Sequence, residues 1–370
     1  MFIEEINLIA FRNYLEAHIK LEKQKLIVIG QNAQGKSNLI EVIELFSHFK
    51  SRRAKKDQEL INFDFEEAIL KIKIQDNHAA EDLAVQIRKS GRRTYKLNGV
   101  NKKPKELLGK VLSVSFMAED LNIINASPSY RRDFLNSILK QFSATYNENL
   151  ANFEKILSQR NGFLKALQEK AKFHLNSLNP SEKDQLNTWN ELYLQEANKL
   201  TNSRKIFIAE LEPKLDTYYK NISGNTNNQI KIEYQHQILT LEDLESSFSK
   251  DIARGYSNLG PHRDDFEILL NTKTSSSFAS QGEKRSIILA LKLSELEMLK
   301  ERFQDYPLLI LDDVLAELDE DRQDFLLDAV NNQAQVLITT THIGKHLEKW
   351  SQDSQIIEVE NGTIKELSKI

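Results

Sequence analysis

The sequence predicts an α/β fold: a P-loop head in two separated halves, with a mainly helical second lobe inserted between them. Three observations carry this. "GQNAQGKS" (Gly30 to Ser37) fits the phosphate-loop spacing G-x-x-x-x-G-K-[ST] and lies between an apolar strand and a helix. "PLLILDD" (Pro307 to Asp313) reads as a buried strand ending in two acids. Between them, from Pro128 to about Tyr219, β-branched residues are few and the periodicity is that of amphipathic helices.

Taken in order, the first 30 residues read as two strands, the alternating "FIEEINLIAF" and the apolar "KLIVIG". Asn38 to Phe49 reads as a helix. "AILKIKI", "LAVQIRK" and "RTYKL" alternate, and the Asn98-Gly99 pair that follows is a hairpin turn signal. The helical stretch has a turn at "NSLNPSEKD", around Pro180. "ISGNTNNQIKIEYQ" returns to turn and strand. Then come a helix from Gly282, the strand "PLLILDD", the helix "DEDRQDFLLDAVNN", the strand "AQVLITTT", a short helix and the final strands of "QIIEVENGTIKEL". The expected division is 1–119 and 259–370 for the two halves of the ATPase lobe and 120–258 for the insertion. Sustained heptads are not evident in the insertion, which is too short for a long coiled-coil arm.

Bulk properties narrow the class. The chain has 370 residues, 40% hydrophobic and 28% charged, and no cysteine. A disulfide framework and Cys-ligated metal sites are therefore excluded. No apolar run is long enough for a membrane span, and the start does not resemble a secretory signal, so a cytoplasmic protein is expected. Net charge is -4, yet Lys50 to Lys110 holds 16 Lys/Arg against 9 Asp/Glu, leaving -11 for the rest. A local basic zone of this kind can hold phosphate backbones. A solvated charged face accounts for it equally well.

The loop chemistry follows from residue type. Its glycines let backbone N–H groups approach phosphate oxygens. Gly30, Gln31, Asn32, Ala33, Gln34, Gly35, Lys36, Ser37 and Asn38 form the expected cradle. Lys36 would reach the β- and γ-phosphates, and Ser37 would ligate Mg²⁺. Asp312, at the strand tip, suits Mg²⁺ or its bound water, and Asp313 could polarise an attacking water. "SQGEKR" starts a second helix whose amides, with the Ser280 hydroxyl, could meet a γ-phosphate. A plain N-cap with Glu283 as capping partner explains that stretch too.

In combination, "GQNAQGKS", "SQGEKR" and "LLILDDVLAELD", in that order around a helical insertion, resemble the ABC-type head of the SMC-like ATPases. Within that group "LGPHRDDFEI", "AEDLNIINASPSYRRDFLN" and "FRNY" (Phe11 to Tyr14) resemble the RecF family of recombination mediators. The resemblance covers essentially the whole chain. It implies an ABC-ATPase-like P-loop head with an inserted helical lobe, and ATP and Mg²⁺ as cofactors. It also implies an ATP-dependent homodimer in which Ser280, Gln281 and Gly282 act on the partner's ATP while Lys36, Ser37 and Asp312 act in cis. Asp319 would lie at the dimer seam. Further implied are weak, DNA-stimulated ATP hydrolysis, sequence-independent binding of double-stranded DNA or ssDNA/dsDNA junctions, and partnership with RecR, with RecO in the same pathway.

The sequence departs from the ABC pattern in four places. Asp313 stands where Glu is usual, which predicts slow hydrolysis. Ala316 replaces a common Ser. "SFMAEDL" has no Gln to sense Mg²⁺, leaving Glu119 or Asp120. His342, in "TTTHI", is the candidate switch histidine, with a surface-loop histidine as the plain alternative. The basic stretches "KSRRAKK" and "RKSGRRTYKLNGVNKKPK", with Tyr95 among the cations, are the candidate DNA contacts. A different class, a small-molecule P-loop enzyme or a transporter's motor subunit, shares the loop and the acids. Against it stand the length of the insertion and "ASQGEKR" in place of "LSGGQ".

Overall fold

The computed structural model describes residues 1–75, 79–171, 179–330 and 334–367. Strands Phe2–Phe11 (β1), Tyr14–Lys20 (β2) and Lys25–Ile29 (β3) lead into helix Lys36–Ser47 (α1). Next come Glu67–Gln75 (β4), Ala80–Arg88 (β5), Thr94–Leu97 (β6), Val100–Lys102 (β7), the one-turn Pro104–Leu107 (α2) and Ser113–Met117 (β8). Asn122–Asn125 (α3), Pro128–Phe142 (α4), Ala144–Ala171 (α5) and Pro180–Ser223 (α6) follow. Ile230–Gln235 (β9), Leu241–Arg254 (α7), Asp265–Leu270 (β10), Lys273–Thr274 (β11) and Ser275–Phe278 (α8) precede the long Gln281–Phe303 (α9). The chain continues through Leu308–Asp312 (β12), Glu320–Val330 (α10), Val336–Thr340 (β13), Lys345–Ser351 (α11), Gln355–Glu360 (β14) and Thr363–Glu366 (β15).

Two compact units result: Met1–Leu121 with Tyr218–Gly224 and Gln281–Ile370, and Asn122–Thr217 with Asn225–Ser280. The division expected from sequence falls at 119/120 and 258/259. Residues 259–280 cluster with the second unit, because β10 pairs along its whole length with β9, from Asp265 opposite Gln235 to Leu270 opposite Ile230.

The first unit holds two six-stranded sheets. One has the order β15-β14-β3-β13-β12-β8 and is parallel except at β15. Its central strands β3, β13 and β12 read as near-continuous apolar runs, as strands buried on both faces do. The register sets Asp312 beside both Thr339 and Met117, and Thr339 beside Val28. The tip of the acid strand therefore lies one strand away from the tip of β3. The other sheet is antiparallel, β2-β1-β4-β5-β6-β7. Its inward face alternates through Ala68, Leu70, Ile72 and Ile74. A register shift between Ile3 and Glu5 lets Ile3, Ile6 and Leu8 all point inward.

The N-terminal stretch holds three strands rather than the expected two: β2 folds back on β1 through a turn in which Arg12 has φ 53°. The hairpin at Asn98-Gly99 forms, with φ 49° and 79°, the left-handed pair a two-residue turn needs. The helix expected over Asn38 to Phe49 runs instead from Lys36 to Ser47. Asn176 to Leu178 of the "NSLNPSEKD" turn, and the "NN" ending the "DEDRQDFLLDAVNN" helix, lie outside the described residues.

The second unit packs α4 to α7 with the antiparallel sheet β11-β10-β9. The buried positions of α6 include Leu186, Asn190, Tyr193, Glu196, Ala197, Leu200, Thr201, Arg204, Phe207, Ile208, Leu211 and Leu215. They form a broad stripe along one side of the helix, the pattern of a core-facing amphipathic helix. Four of these positions, Asn190, Glu196, Thr201 and Arg204, are polar. Asn190 and Arg204 are tied into a polar network. Asn190 accepts from Arg160 Nε at 3.0 Å, and Arg160 also reaches Asp251 at 3.0 Å. Arg204 bonds Pro261 O at 2.6 Å, Asn136 Oδ1 at 3.0 Å and Asp264 Oδ2 at 3.2 Å. No helix among the described residues is long and apolar enough to cross a membrane.

Candidate nucleotide site

Strand β3 delivers Gly30, whose amide donates to Thr340 O at 3.2 Å, and the chain then wraps to the start of α1. Gly35 has φ 124° and leaves that helix start without a side-chain cap. A Cβ there would lie 2.8 and 2.9 Å from the Asn13 side chain and 3.1 Å from the Tyr14 hydroxyl. Glycine is required by conformation and by space together.

Distant segments hold the loop in shape. Asn13 Nδ2 donates to Gln34 O at 2.7 Å, and Asn38 Nδ2 donates to Asn13 Oδ1 at 2.8 Å. The Tyr14 hydroxyl donates to Gly35 O at 3.0 Å, and burial pushes that phenol's pKa up, so it remains a donor. From the β14–β15 turn, Gly362 N donates to Gln34 O at 3.0 Å and Asn361 N to Gln34 Oε1 at 2.7 Å. These contacts give the "FRNY" segment its purpose, which residue type alone did not reveal.

Lys36 is 4% exposed. Its Nζ donates to Gly30 O at 2.7 Å and stands 3.6 Å from Asp313 Oδ2. Ser37 Oγ donates to Asp312 Oδ1 at 3.3 Å. Thr339 Oγ1 donates to the same oxygen at 2.6 Å and accepts the Asp313 amide at 3.0 Å. Burial raises the Asp312 pKa. The Thr339 and Ser37 hydroxyls oppose that shift, while the charges of Asp313 and Glu119 add to it. Asp313 has φ 51°, a left-handed turn that aims its carboxylate back toward Lys36. Gln31, Asn32 and Ala33 are exposed along the loop.

This donor set fits a nucleoside triphosphate with Mg²⁺. The Ser37 hydroxyl and the Asp312 carboxylate are hard oxygen donors that meet each other. Lys36 is a buried cation held at the base of a loop that only Gly35 can shape.

Of the two acids offered for the Mg²⁺-sensing position, Asp120 is buried, accepts Met117 N at 2.9 Å and pairs with Arg52 and Lys292. Glu119 is exposed and is the one whose charge adds, with Asp313's, to the rise in the Asp312 pKa. His342 is exposed in the turn after β13, with Nδ1 3.1 Å from Thr341 Oγ1. Ala316 is exposed.

The second helix start divides between the units: Ser280 ends one, and Gln281 opens α9 in the other. Gly282 O accepts from Ser286 Oγ at 3.2 Å. Sequence reasoning missed Arg322, whose Nη2 would stand 3.6 Å from a Cβ on Gly282. Arg322 is oriented by Ser286 Oγ, at 2.7 Å, and by the Asp319 carboxylate. Three residues after Asp319 in a helix's first turn is the signal that could have found it.

In the basic zone several cations are already paired, among them Arg52 with Glu44 and Asp120, Arg88 with Glu67 and Arg93 with Asp57. Lys55, Lys56, Arg92, Lys96 and Lys103 are exposed. Tyr95 is buried edge-on to Phe49, with ring centroids 5.6 Å apart, so it presents no open face to a base. The other singled-out motifs serve the second unit: Arg131 forks onto Asp265 at 2.6 and 2.7 Å, and Arg132 reaches Asp264 O at 2.9 Å. "SYRRDFLN" and "GPHRDD" are two halves of one buried polar joint.

The family described as RecF/RecN/SMC N terminal domain matches residues 2–365. The chain is 36% identical over 378 residues to the DNA replication and repair protein RecF of Rippkaea orientalis (strain PCC 8801 / RF-1), covering 98% of this chain and 99% of that one. It is 34% identical over 384 residues to the RecF of Gloeothece citriformis (strain PCC 7424), covering 99% and 100%. A solved structure of the recombination mediator protein RecF with ATP, from the RecFOR pathway, superposes with a TM-score of 0.89 at 29% identity, covering 99% of this chain and 98% of that one. A phosphate loop braced by Asn13 and Tyr14, an acid strand one strand away, and similarity along the full length together place the chain in the RecF family of DNA replication and repair proteins.

Proposed function

We propose that the protein is an ATP-gated DNA-binding protein of recombinational repair that dimerises on ATP. The observation that carries this is the half-built site: Lys36, Ser37, Asp312 and Asp313 gather at one set of strand tips, while Ser280 to Gly282 begin a separate helix. Two chains facing each other would complete two such sites. Lys36 holds the β- and γ-phosphates, and Ser37 and Asp312 hold Mg²⁺. Bound there, the ion neutralises phosphate charge. Asp313 orients water with a side chain one methylene shorter than Glu, so turnover is slow, and DNA stimulates it. Ser280, Gln281 and Gly282 close on the partner's γ-phosphate, with Arg322 adding a cation. Each contact is charge-assisted and is lost on hydrolysis.

The exposed Lys55, Lys56, Arg92, Lys96 and Lys103 track phosphates without reading bases, on double-stranded DNA or ssDNA/dsDNA junctions. RecR is the expected partner, with RecO in the same cytoplasmic pathway. The test is sedimentation with and without ATP, alongside a DNA shift assay. The wild type should dimerise with ATP and bind DNA more tightly. Ser280→Arg should bind nucleotide yet stay monomeric. DNA affinity indifferent both to ATP and to Lys36→Ala would refute the reading.

A further inference from the structure

The phosphate-loop helix carries two glutamates on its buried side. Glu41 accepts from Arg12 Nε and Nη2 at 2.8 and 2.7 Å and from the Ser51 hydroxyl. Ser51 Oγ in turn accepts the amides of Arg53 and Ala54 at 3.0 and 2.8 Å. One turn on, Glu44 lies 3.1 Å from Arg52 Nε. The basic segment "KSRRAKK" is thereby fastened to α1 at two points.

The contacts continue beyond Arg52. Its Nη1 reaches Asp120 Oδ1 at 3.4 Å. The other Asp120 oxygen accepts Met117 N at 2.9 Å, and Met117 is the strand partner of Asp312. Lys292, on α9, stands 3.6 Å from Asp120 Oδ1 and 3.4 Å from Glu295 Oε2. Lys292 lies 11 residues beyond Gln281, about 16 Å along the helix at 1.5 Å per residue. Its side chain is 1% exposed and that of Glu295 4%. Burial pushes the carboxyls of Glu44 and Glu295 up. Buried charges of this kind are seldom the most stable filling for a core. Their arrangement, which touches the loop helix, the basic segment, the acid strand's neighbour and the signature helix, suggests a different use.

We propose that the chain Glu44–Arg52–Asp120–Lys292–Glu295, buried at all but Arg52, couples the basic segment to the nucleotide site, with Lys292 and Glu295 as the positioning residues on the signature helix. Phosphates gathered by Lys55 and Lys56 load the segment that Arg52 ties to Asp120. Asp120 then fixes Met117 beside Asp312 and, through Lys292, the axial position of α9. The coupling is reciprocal: ATP tightens DNA binding by the factor by which DNA tightens ATP binding.

The inference rests on the ATP-gated DNA binding proposed above, and its test separates the two. The double variant Lys292→Met/Glu295→Met removes one charge of each sign, leaving the net charge and the Arg52 pairs intact. It should melt at or above the wild-type temperature, because apolar replacement of a buried pair is often neutral or stabilising. It should bind ATP with wild-type affinity in the absence of DNA. The ratio of DNA affinities with and without ATP should fall about fivefold or more, within the usual range of allosteric coupling. Lys292→Met alone, which strands Glu295, should melt lower and serves as the folding control. A double variant that keeps the wild-type ratio, or that melts well below wild type, overturns the coupling role. A wild type without any ATP effect on DNA affinity overturns the functional reading itself.

Discussion

Thr339 donates its hydroxyl to Asp312 Oδ1 at 2.6 Å across the β12–β13 pair, closer than Ser37 comes to the same oxygen at 3.3 Å. Because Thr339 also accepts the Asp313 amide at 3.0 Å, one side chain fixes both acids. The sequence shows Thr339 only as one of three consecutive threonines. Its position opposite Asp312 is a product of the parallel register.

Thr339→Val keeps the shape and removes the donor. A hydrogen bond to a charged group contributes roughly 1.5–3 kcal/mol, so the carboxylate should hold a cation about tenfold less well. The Mg²⁺ concentration for half-maximal ATP hydrolysis should rise accordingly. Nucleotide binding measured in EDTA should stay the same. An unchanged Mg²⁺ titration would show that Thr339 does no more than pack.

Gly35→Ala should destabilise the fold by about 1–3 kcal/mol, the usual cost of forcing a side chain into that backbone region, and abolish nucleotide binding. The comparison is Gly99→Ala, where φ is also positive, at 79°, but no atom lies within 4 Å. That change should cost less and leave nucleotide binding alone. Thermal melting with and without ATP distinguishes the two.

His262 gives the second unit a pH dependence. Burial lowers its pKa to about 4, against the pull of its hydrogen bond to Ser257 O. The unfolded chain binds the proton more readily, so this contribution is intact at pH 7 and declines as pH falls from about 6.5 to about 4. The full effect is roughly 3 kcal/mol from the shift between those values. Denaturant unfolding across that window should lose stability in the wild type, and His262→Gln should flatten the slope.

Much of the first unit could be read directly, because phosphate loops and buried parallel strands carry strong local signatures. "LLILD" and "VLITT" are apolar for want of any solvent face. Strand β2 escaped because its pattern inverts midway: Leu15 is 59% exposed while Ala17 is buried. The buried side of α6 was harder to read because Asn190, Glu196, Thr201 and Arg204 interrupt its apolar positions. Tyr95 looked like a nucleic-acid contact because cations surround it in sequence, but strand alternation turns it inward against Phe49. Asn13 could not be assigned from composition, since its partner Gln34 lies 21 residues away, and Arg322 showed only its local partner Asp319 while Ser286 lies 36 residues away.

The clasp between Gln34 and the Asn361–Gly362 turn has a consequence for biosynthesis. A ribosome will have made more than three hundred further residues before the clasp's second half exists. Until that turn is made, Gln34 has only the Asn13 amide as a donor and lacks the two backbone amides of the clasp. The loop's final shape is thus a long-range property of the chain, set by residues more than three hundred positions apart.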